Sequence, residues 1–106
     1  MDNTYTESDW KLFRKRIAGW QEAYTGRLNR EYVAILSGDG MPSDRFWALE
    51  KRVNTDKHAA GVFVEMRRSR LVRNLVQLLS EGVICEDDLE GFSDGLRASV
   101  MYLQHD

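Results

Sequence analysis

Residues 10–36, WKLFRKRIAGWQEAYTGRLNREYVAIL, decide the fold of this chain. Their apolar side chains recur at alternating steps of three and four residues, which is the spacing of one face of an α-helix. That face consists of Trp10, Phe13, Ile17, Trp20, Tyr24, Leu28, Tyr32 and Ile35. About thirty residues of helix span roughly 45 Å at a rise of about 1.5 Å per residue. The sequence therefore predicts one long amphipathic helix as its first element.

Both ends of this helix carry capping or stop signals. Thr6 with Asp9 three residues later, or Ser8 by itself, can accept hydrogen bonds from the free backbone amides of the first turn. Residues 37–40, SGDG, are typical of a helix stop. The first helix should therefore begin close to Ser8 and end before the only proline of the chain, Pro42.

A second amphipathic helix is predicted after Pro42, a residue that is favoured in the first helical turn. It should end near residue 57 or 58, and AAG at residues 59–61 then forms a turn. The inward face of this helix is predicted to consist of Phe46, Leu49 and Val53.

The third helix is predicted over residues 62–81, with Gly82 as its C-terminal cap. The residues expected to face inward are Val64, Leu71, Val72, Leu75, Leu78 and Leu79. Apolar residues continue at helical spacing as Leu89, Phe92, Leu96, Val100 and Leu103. Glycine and serine at residues 91–95 should divide this last part into a short helix and a final helix. No segment has the alternation of a strand, so the expected fold class is all-α, a small helical bundle.

The composition fits one folded domain of residues 1–106, and we expect residues 1–6 to be flexible. Charged residues make up 30% and hydrophobic residues 42% of the chain, which is enough apolar mass for a core. Fifteen basic residues stand against 17 acidic ones, so nucleic-acid binding would need a local basic patch. The acidic start, the single cysteine and the lack of an apolar run of about 20 residues predict a cytoplasmic protein without a membrane span.

Four arginines occur within residues 67–73, RRSRLVR. On a continuous third helix, Arg68 falls among the leucines, so we expect it to be buried and paired with a carboxylate, because an unpaired buried charge is costly. The acids considered for this pair are Glu65, Glu50 and those of residues 86–94. The other three, Arg67, Arg70 and Arg73, form either a solvated face, which we favour, or a phosphate-binding site for nucleic acid. A second basic strip on the first helix consists of Lys11, Arg14 and Lys15.

Aromatic residues off the apolar stripes are candidates for contact with a partner. Trp47 lies about 100° from the predicted stripe of the second helix, so it borders the core, which we favour, or faces a partner. Tyr102 and Met101 leave the stripe of the final helix in the same way. Exposed Trp, Tyr and Met near Arg are typical of a protein interface. The predicted partner contacts are therefore Trp47, Tyr102 and the arginines at positions 67, 70 and 73.

The sequence offers little for catalysis, cofactors or metals. His58 and His105 have no nucleophile nearby in sequence. Cys85 precedes three acids, whose negative field raises a thiol pKa, so a capping role is favoured over a nucleophilic one. Neither zinc-ligand spacing nor a calcium loop is present. We expect no enzymatic activity, no cofactor and no bound metal.

Segments spread over most of the chain resemble an uncharacterised group of short helical proteins from Gram-positive gut bacteria and their mobile elements. The most diagnostic are VEMRRS at residues 64–69 and DLEGFSDGL at residues 88–96, together with DWKLFRKRIAGWQEAY and FWALEKRV. Members are often labelled multidrug transporters, which the lack of a membrane span in this sequence contradicts. The resemblance implies an accessory protein of a mobile element. Such proteins commonly bind host or element proteins, and inhibitors of CRISPR nucleases are one class.

These observations lead to one preferred function and one alternative. The preferred function is a non-enzymatic helical module that binds another protein, a nuclease-type effector among the candidates, or a second copy of itself as a homodimer. The alternative is a nucleic-acid-binding accessory that uses the basic faces of the first and third helices.

Overall fold

The computed structural model describes residues 5–105. It is 74% helical and contains no strand among those residues, so the predicted all-α fold is confirmed. The four helices are α1, Glu7–Ser37; α2, Pro42–Asp56; α3, Leu71–Ser80; and α4, Asp94–His105. Two short 3-10 turns precede α3 and α4, at Arg68–Arg70 and Glu86–Leu89.

A capping box starts α1, as the sequence predicts for Thr6 and Asp9. The backbone amide of Asp9 donates to Thr6 Oγ1 at 3.1 Å, and the Thr6 amide donates to Asp9 Oδ2 at 2.9 Å. Tyr5 packs against the core, and Thr6 caps α1. The predicted flexibility of residues 1–4 lies outside the described residues.

The core lies at one end of the molecule, where the N-terminal half of α1 packs against α3 and α4. Trp10 and Phe13 stack with their ring centroids 6.1 Å apart. The buried residues of this core are Trp10, Phe13, Ile17, Ala60, Leu71, Leu75, Leu78, Leu79, Ile84, Leu89, Phe92, Leu96 and Val100. Of the residues predicted to point inward from α4, only Leu103 is exposed.

The buried carboxylate of Asp9 joins the start of α1 to the start of α4. Besides capping α1, it accepts hydrogen bonds from the Ser93 amide at 2.8 Å and from Ser93 Oγ at 2.6 Å. Burial by itself raises the pKa of the Asp9 carboxyl, but the bonds from Ser93 and Thr6 outweigh it and hold that pKa below its usual value. The Asp9 carboxylate thus accepts hydrogen bonds at the N-termini of both α1 and α4.

The predicted start of the third helix near Val62 is wrong, since α3 begins at Leu71. The preceding chain turns at Ala59 and is extended at Arg67, with φ −129° and ψ 143°. Asn74 holds this extended segment, because its buried side-chain amide donates to the Glu65 carbonyl at 3.0 Å. That bond satisfies a backbone carbonyl which a helix would otherwise have used.

Gly61 explains why the segment before α3 crosses α1 so closely. The Ala60 carbonyl accepts a bond from Gln21 Nε2 at 3.1 Å, which sets the chain against the middle of α1. A β-carbon on Gly61 would lie only 2.2 Å from Cδ2 of the Tyr24 ring. Only glycine therefore fits at this crossing.

The predicted inward face of α2 is wrong for Phe46 and Val53, which are exposed, whereas Leu49 is partly buried. No residue of α2 is fully buried. The physical reason is that, within residues 5–105, α2 packs mainly against the C-terminal half of α1. The described part of the chain is therefore elongated, with extents of 54 × 25 × 22 Å.

None of the helices within residues 5–105 combines the length and the apolar character that crossing a membrane requires.

Replacing Asp9 with asparagine should lower the free energy of unfolding by about 2–3 kcal/mol at pH 7, because an amide cannot accept all the bonds of the carboxylate. The pKa of Asp9 is lowered by folding, so its contribution is present above the unfolded value of about 3.9 and is lost as the pH falls further. The difference in the free energy of unfolding between wild type and Asp9→Asn should therefore become smaller at low pH. Urea unfolding at two pH values measures this difference.

Asp94→Asn is the control, since the Asp94 side chain is 95% exposed. Its loss should stay below about 0.5 kcal/mol. Equal losses for the two variants would contradict the role given to Asp9.

Two glycine-to-alanine changes should have opposite signs. Gly61→Ala should cost about 1–3 kcal/mol, because the new methyl overlaps the Tyr24 ring. Gly26→Ala should instead stabilise by about 0.5–1 kcal/mol, because Gly26 lies within α1 and its β-carbon would meet nothing within 4 Å. Thermal unfolding of both variants checks this, and a loss of stability in Gly26→Ala would refute it.

Candidate protein-binding surface

The C-terminal half of α1 and all of α2 form a helical hairpin that extends away from the core. Leu28 of α1 is buried. Tyr32 of α1 donates a hydrogen bond to Asp56 Oδ2 of α2 at 2.7 Å. At the tip, Arg45 Nη1 donates to the carbonyls of Gly38 at 2.8 Å and Gly40 at 3.1 Å. The hairpin is thus held by polar contacts along a narrow apolar seam.

Tyr32 is a half-buried polar residue of this seam. Burial raises the pKa of its phenol, and the hydrogen bond to Asp56 raises it further, to about 12. The guanidinium carbon of Arg52 lies 5.8 Å from the centroid of the Tyr32 ring. The phenol therefore stays protonated and bonded at neutral pH.

One long side of the hairpin is charged. Arg52 Nη2 contacts Glu31 Oε1 at 2.6 Å and Asp56 Oδ2 at 3.3 Å. These three side chains lie partly in solvent, so the network contributes little to stability. It marks which side of the hairpin is polar.

The other side of the hairpin exposes large apolar side chains, which we call the apolar flank. Its members and their exposed fractions are Val33 62%, Leu36 48%, Met41 66%, Phe46 57%, Trp47 62% and Val53 41%. Phe46 and Trp47 contact each other edge to face, with ring centroids 4.9 Å apart. The flank therefore contains an aromatic pair.

Helical geometry places these residues on the same side. At about 100° per residue, Leu36 lies roughly 80° from the face of α1 that packs on α2. Phe46 and Val53 lie a similar angle from the face of α2 that packs on α1. Because the two helices are antiparallel, Leu36, Phe46 and Val53 all point to the side of the hairpin opposite the Arg52–Glu31 pair. Val33 and Trp47 lie at the outer edges of the flank, and Met41 lies at the tip.

Arg68 is correctly predicted to form an ion pair, but its partner and its burial are not as expected. It binds Glu7 through two bonds, Nε–Oε1 at 3.1 Å and Nη2–Oε2 at 2.7 Å, and lies over the Trp10 ring. Its side chain is exposed, because the 3-10 turn places it beside the start of α1 and outside the leucine face of α3. The hydrogen bond from Arg68 lowers the pKa of the Glu7 carboxyl.

The other predicted contact residues lie on different elements. Arg67 and Arg70 each place Nε 3.1 Å from the Glu65 carboxylate. Arg73 lies with Arg70 along a groove of about 260 Å³. Trp47 belongs to the hairpin and is exposed, so its favoured core-edge placement is wrong, while Tyr102 is exposed on α4. The structure therefore brings the arginines together but does not place them on the hairpin.

Sequence reasoning missed most of the apolar flank. The helical spacing of Phe46 and Val53 predicts that they lie in the core, and the pattern gives no signal for Val33, Leu36 and Met41. One available signal was the charge pattern of α2, where Arg45, Arg52 and Asp56 also repeat at helical spacing. That second stripe is the one that faces α1.

His58 and Cys85 lie on the surface of the molecule. Cys85 is exposed, and its backbone amide donates to Asp88 Oδ2 at 2.8 Å, which caps the turn Glu86–Leu89. Among residues 5–105, no three His, Cys, Asp or Glu side chains are grouped so that they could hold a metal ion. The best-supported candidate site is thus the apolar flank.

Comparison of the chain with protein-family models, curated proteins and solved structures finds no match in any of the three. The resemblance to short helical proteins of mobile elements stays a prediction. The function must be argued from the surface itself.

Replacing Tyr32 with phenylalanine should weaken the seam of the hairpin by about 1 kcal/mol. In wild type, folding raises the pKa of Tyr32 to about 12, so its stabilisation is present below about pH 10 and is lost as the pH rises through the folded value. Titration of tyrosinate absorbance should show a late phase near that value which the variant lacks. Tyr102→Phe is the control and should keep the late phase.

Proposed function

We propose that this chain is a protein-binding module whose contact surface is the apolar flank of the α1–α2 hairpin. The observation that carries the proposal is the set of six large apolar side chains exposed on one side of a hairpin that reaches beyond the core. Isolated exposed hydrophobic residues need no explanation, but a contiguous apolar patch marks an interaction site.

The size of the flank supports this function. Aromatic side chains have about 150–250 Å² each, so the exposed parts of Phe46 and Trp47 together offer roughly 200–250 Å². The four aliphatic members bring the total to roughly 500–600 Å². This equals the apolar share of one side of a standard interface, about 800 Å² per partner. A smaller patch would not support stable binding.

The composition of the flank also suits an interface. Trp is among the residues that dominate binding energy, and Met and Phe are enriched in interface centres. Nuclease-type effectors are candidate partners because the sequence resembles accessory proteins of mobile elements.

Nucleic-acid binding is a second candidate, supported by one observation. Arg68 pairs with Glu7, a carboxyl whose pKa is also lowered by the charges of Lys11 and Arg14, so the two basic strips adjoin near the start of α1. Against it, Glu7 and Glu65 bind three of the four arginines in residues 67–73. Each such pair reduces the charge available to phosphates.

Trp47→Ala should weaken partner binding by about 2 kcal/mol, or roughly thirtyfold in Kd, because it removes an exposed interface aromatic. The measurement is affinity capture from host cells, followed by calorimetry with the purified partner. The triple change of Arg67, Arg70 and Arg73 to Ala should have a much smaller effect. Tyr102→Ala, a similarly exposed aromatic on α4, is the matched control.

Nucleic-acid binding by the same variants, at two salt concentrations, tests the second candidate. Phosphate contacts predict affinity that falls steeply with salt and a slope that shrinks by about one per arginine removed. Tight, salt-dependent binding lost only in the arginine variant would reverse the order of the two functions.

A further inference from the structure

The apolar flank spans both helices of the hairpin. On α2, Phe46 and Val53 stand seven residues apart, which is about two helical turns, and form a ridge. Beside them on α1 lies Leu36, which is 48% exposed. An exposed ridge of side chains on one helix can pack against a second helix.

We infer that the occupant of this flank is a second copy of the chain, so that two hairpins pair about a two-fold axis into a four-helix bundle. The inference rests on the proposed function, because it assigns the partner of the same surface. In such a pair the α2 ridge of each copy packs against the apolar flank of the other, and every contact occurs twice. Antiparallel pairing of the two α2 helices brings Phe46 of one copy opposite Val53 of the other.

The available apolar area fits a dimer of this kind. The flank offers roughly 500–600 Å² of apolar surface per copy, which matches the apolar share of about 800 Å² per partner in a stable interface. Both helices that would contribute to the bundle are already formed and joined at the tip. Association therefore requires little ordering of the backbone, which lowers its entropic cost.

The charges of α2 favour a second copy over a strongly charged partner. Asp44, Glu50 and Asp56 stand against Arg45, Lys51 and Arg52 within this helix, three acids against three bases. A net charge of zero on α2 gives the two α2 helices no net repulsion and gives an acidic or basic partner no net attraction to this helix. The flank thus selects by apolar contact, which a copy of itself supplies.

The test uses the full chain and two aspartate variants on opposite sides of α2. Val53→Asp puts a carboxylate on the flank, whereas Ala48→Asp, also at an exposed position, puts the same group on the other side of the helix. Sedimentation velocity at about 1–100 µM brackets the micromolar affinity of a modest interface. Wild type and Ala48→Asp should reach twice the mass of one chain.

Val53→Asp should raise the dimer Kd by at least about a hundredfold, because each dimer would bury two unpaired carboxylates. Phe46→Asp repeats the test at a more exposed site, where loss of folding cannot be the cause, and circular dichroism monitors the fold of each variant. A wild-type monomer at the highest concentration overturns the inference. Equal dimerisation of the Val53 and Ala48 variants overturns it too.

The outcomes also separate this inference from the proposed function. A monomeric chain whose capture of another protein is lost in Trp47→Ala refutes the homodimer and leaves the binding module standing. A dimer sensitive to Val53→Asp supports the inference whether or not another protein is captured.

Discussion

The length of α1, compared with the elements that cover it, governs the rest of the structure. α1 has 31 residues, whereas α3 has 10 and α4 has 12, so at about 1.5 Å per residue the covering helices reach less than half of it. The core consequently ends near Ile17 and Trp20. The remaining half of α1 can shield its apolar stripe only by packing against α2. Because α2 has no buried residue and packs mainly against α1 within residues 5–105, the hairpin keeps an exposed apolar flank.

At the core end, a few buried polar groups determine how the connecting segments run. Asp9 accepts bonds from both its own helix cap and Ser93, and Asn74 holds the extended backbone at Glu65. Buried polar groups need partners, so these bonds exclude alternative paths for the chain. Gly61 has the corresponding steric role against Tyr24. The core end is thus specified more closely than the hairpin, where apolar contact is sparse.

The arginines and the apolar flank lie in different parts of the molecule. Residues 67–73 belong to the turn and helix at the core end, and three of their four arginines form ion pairs with Glu7 or Glu65. The flank carries the aromatic pair Phe46–Trp47 on a helix of zero net charge. A protein interface on the hairpin therefore does not depend on the arginine cluster, and the two surfaces can be altered separately.

The sequence by itself determined the helical class, the cap of α1 at Thr6 and Asp9, and the break before α4, because these follow from local spacing and local hydrogen bonds. It also indicated that Arg68 needs a carboxylate. It could not identify Glu7 as that partner, since 61 positions separate the two residues. It could not show that Phe46 and Val53 face solvent either, because an apolar stripe has the same spacing whether or not another element covers it. Only the tertiary structure decides which stripes are covered, since burial depends on where distant segments pack.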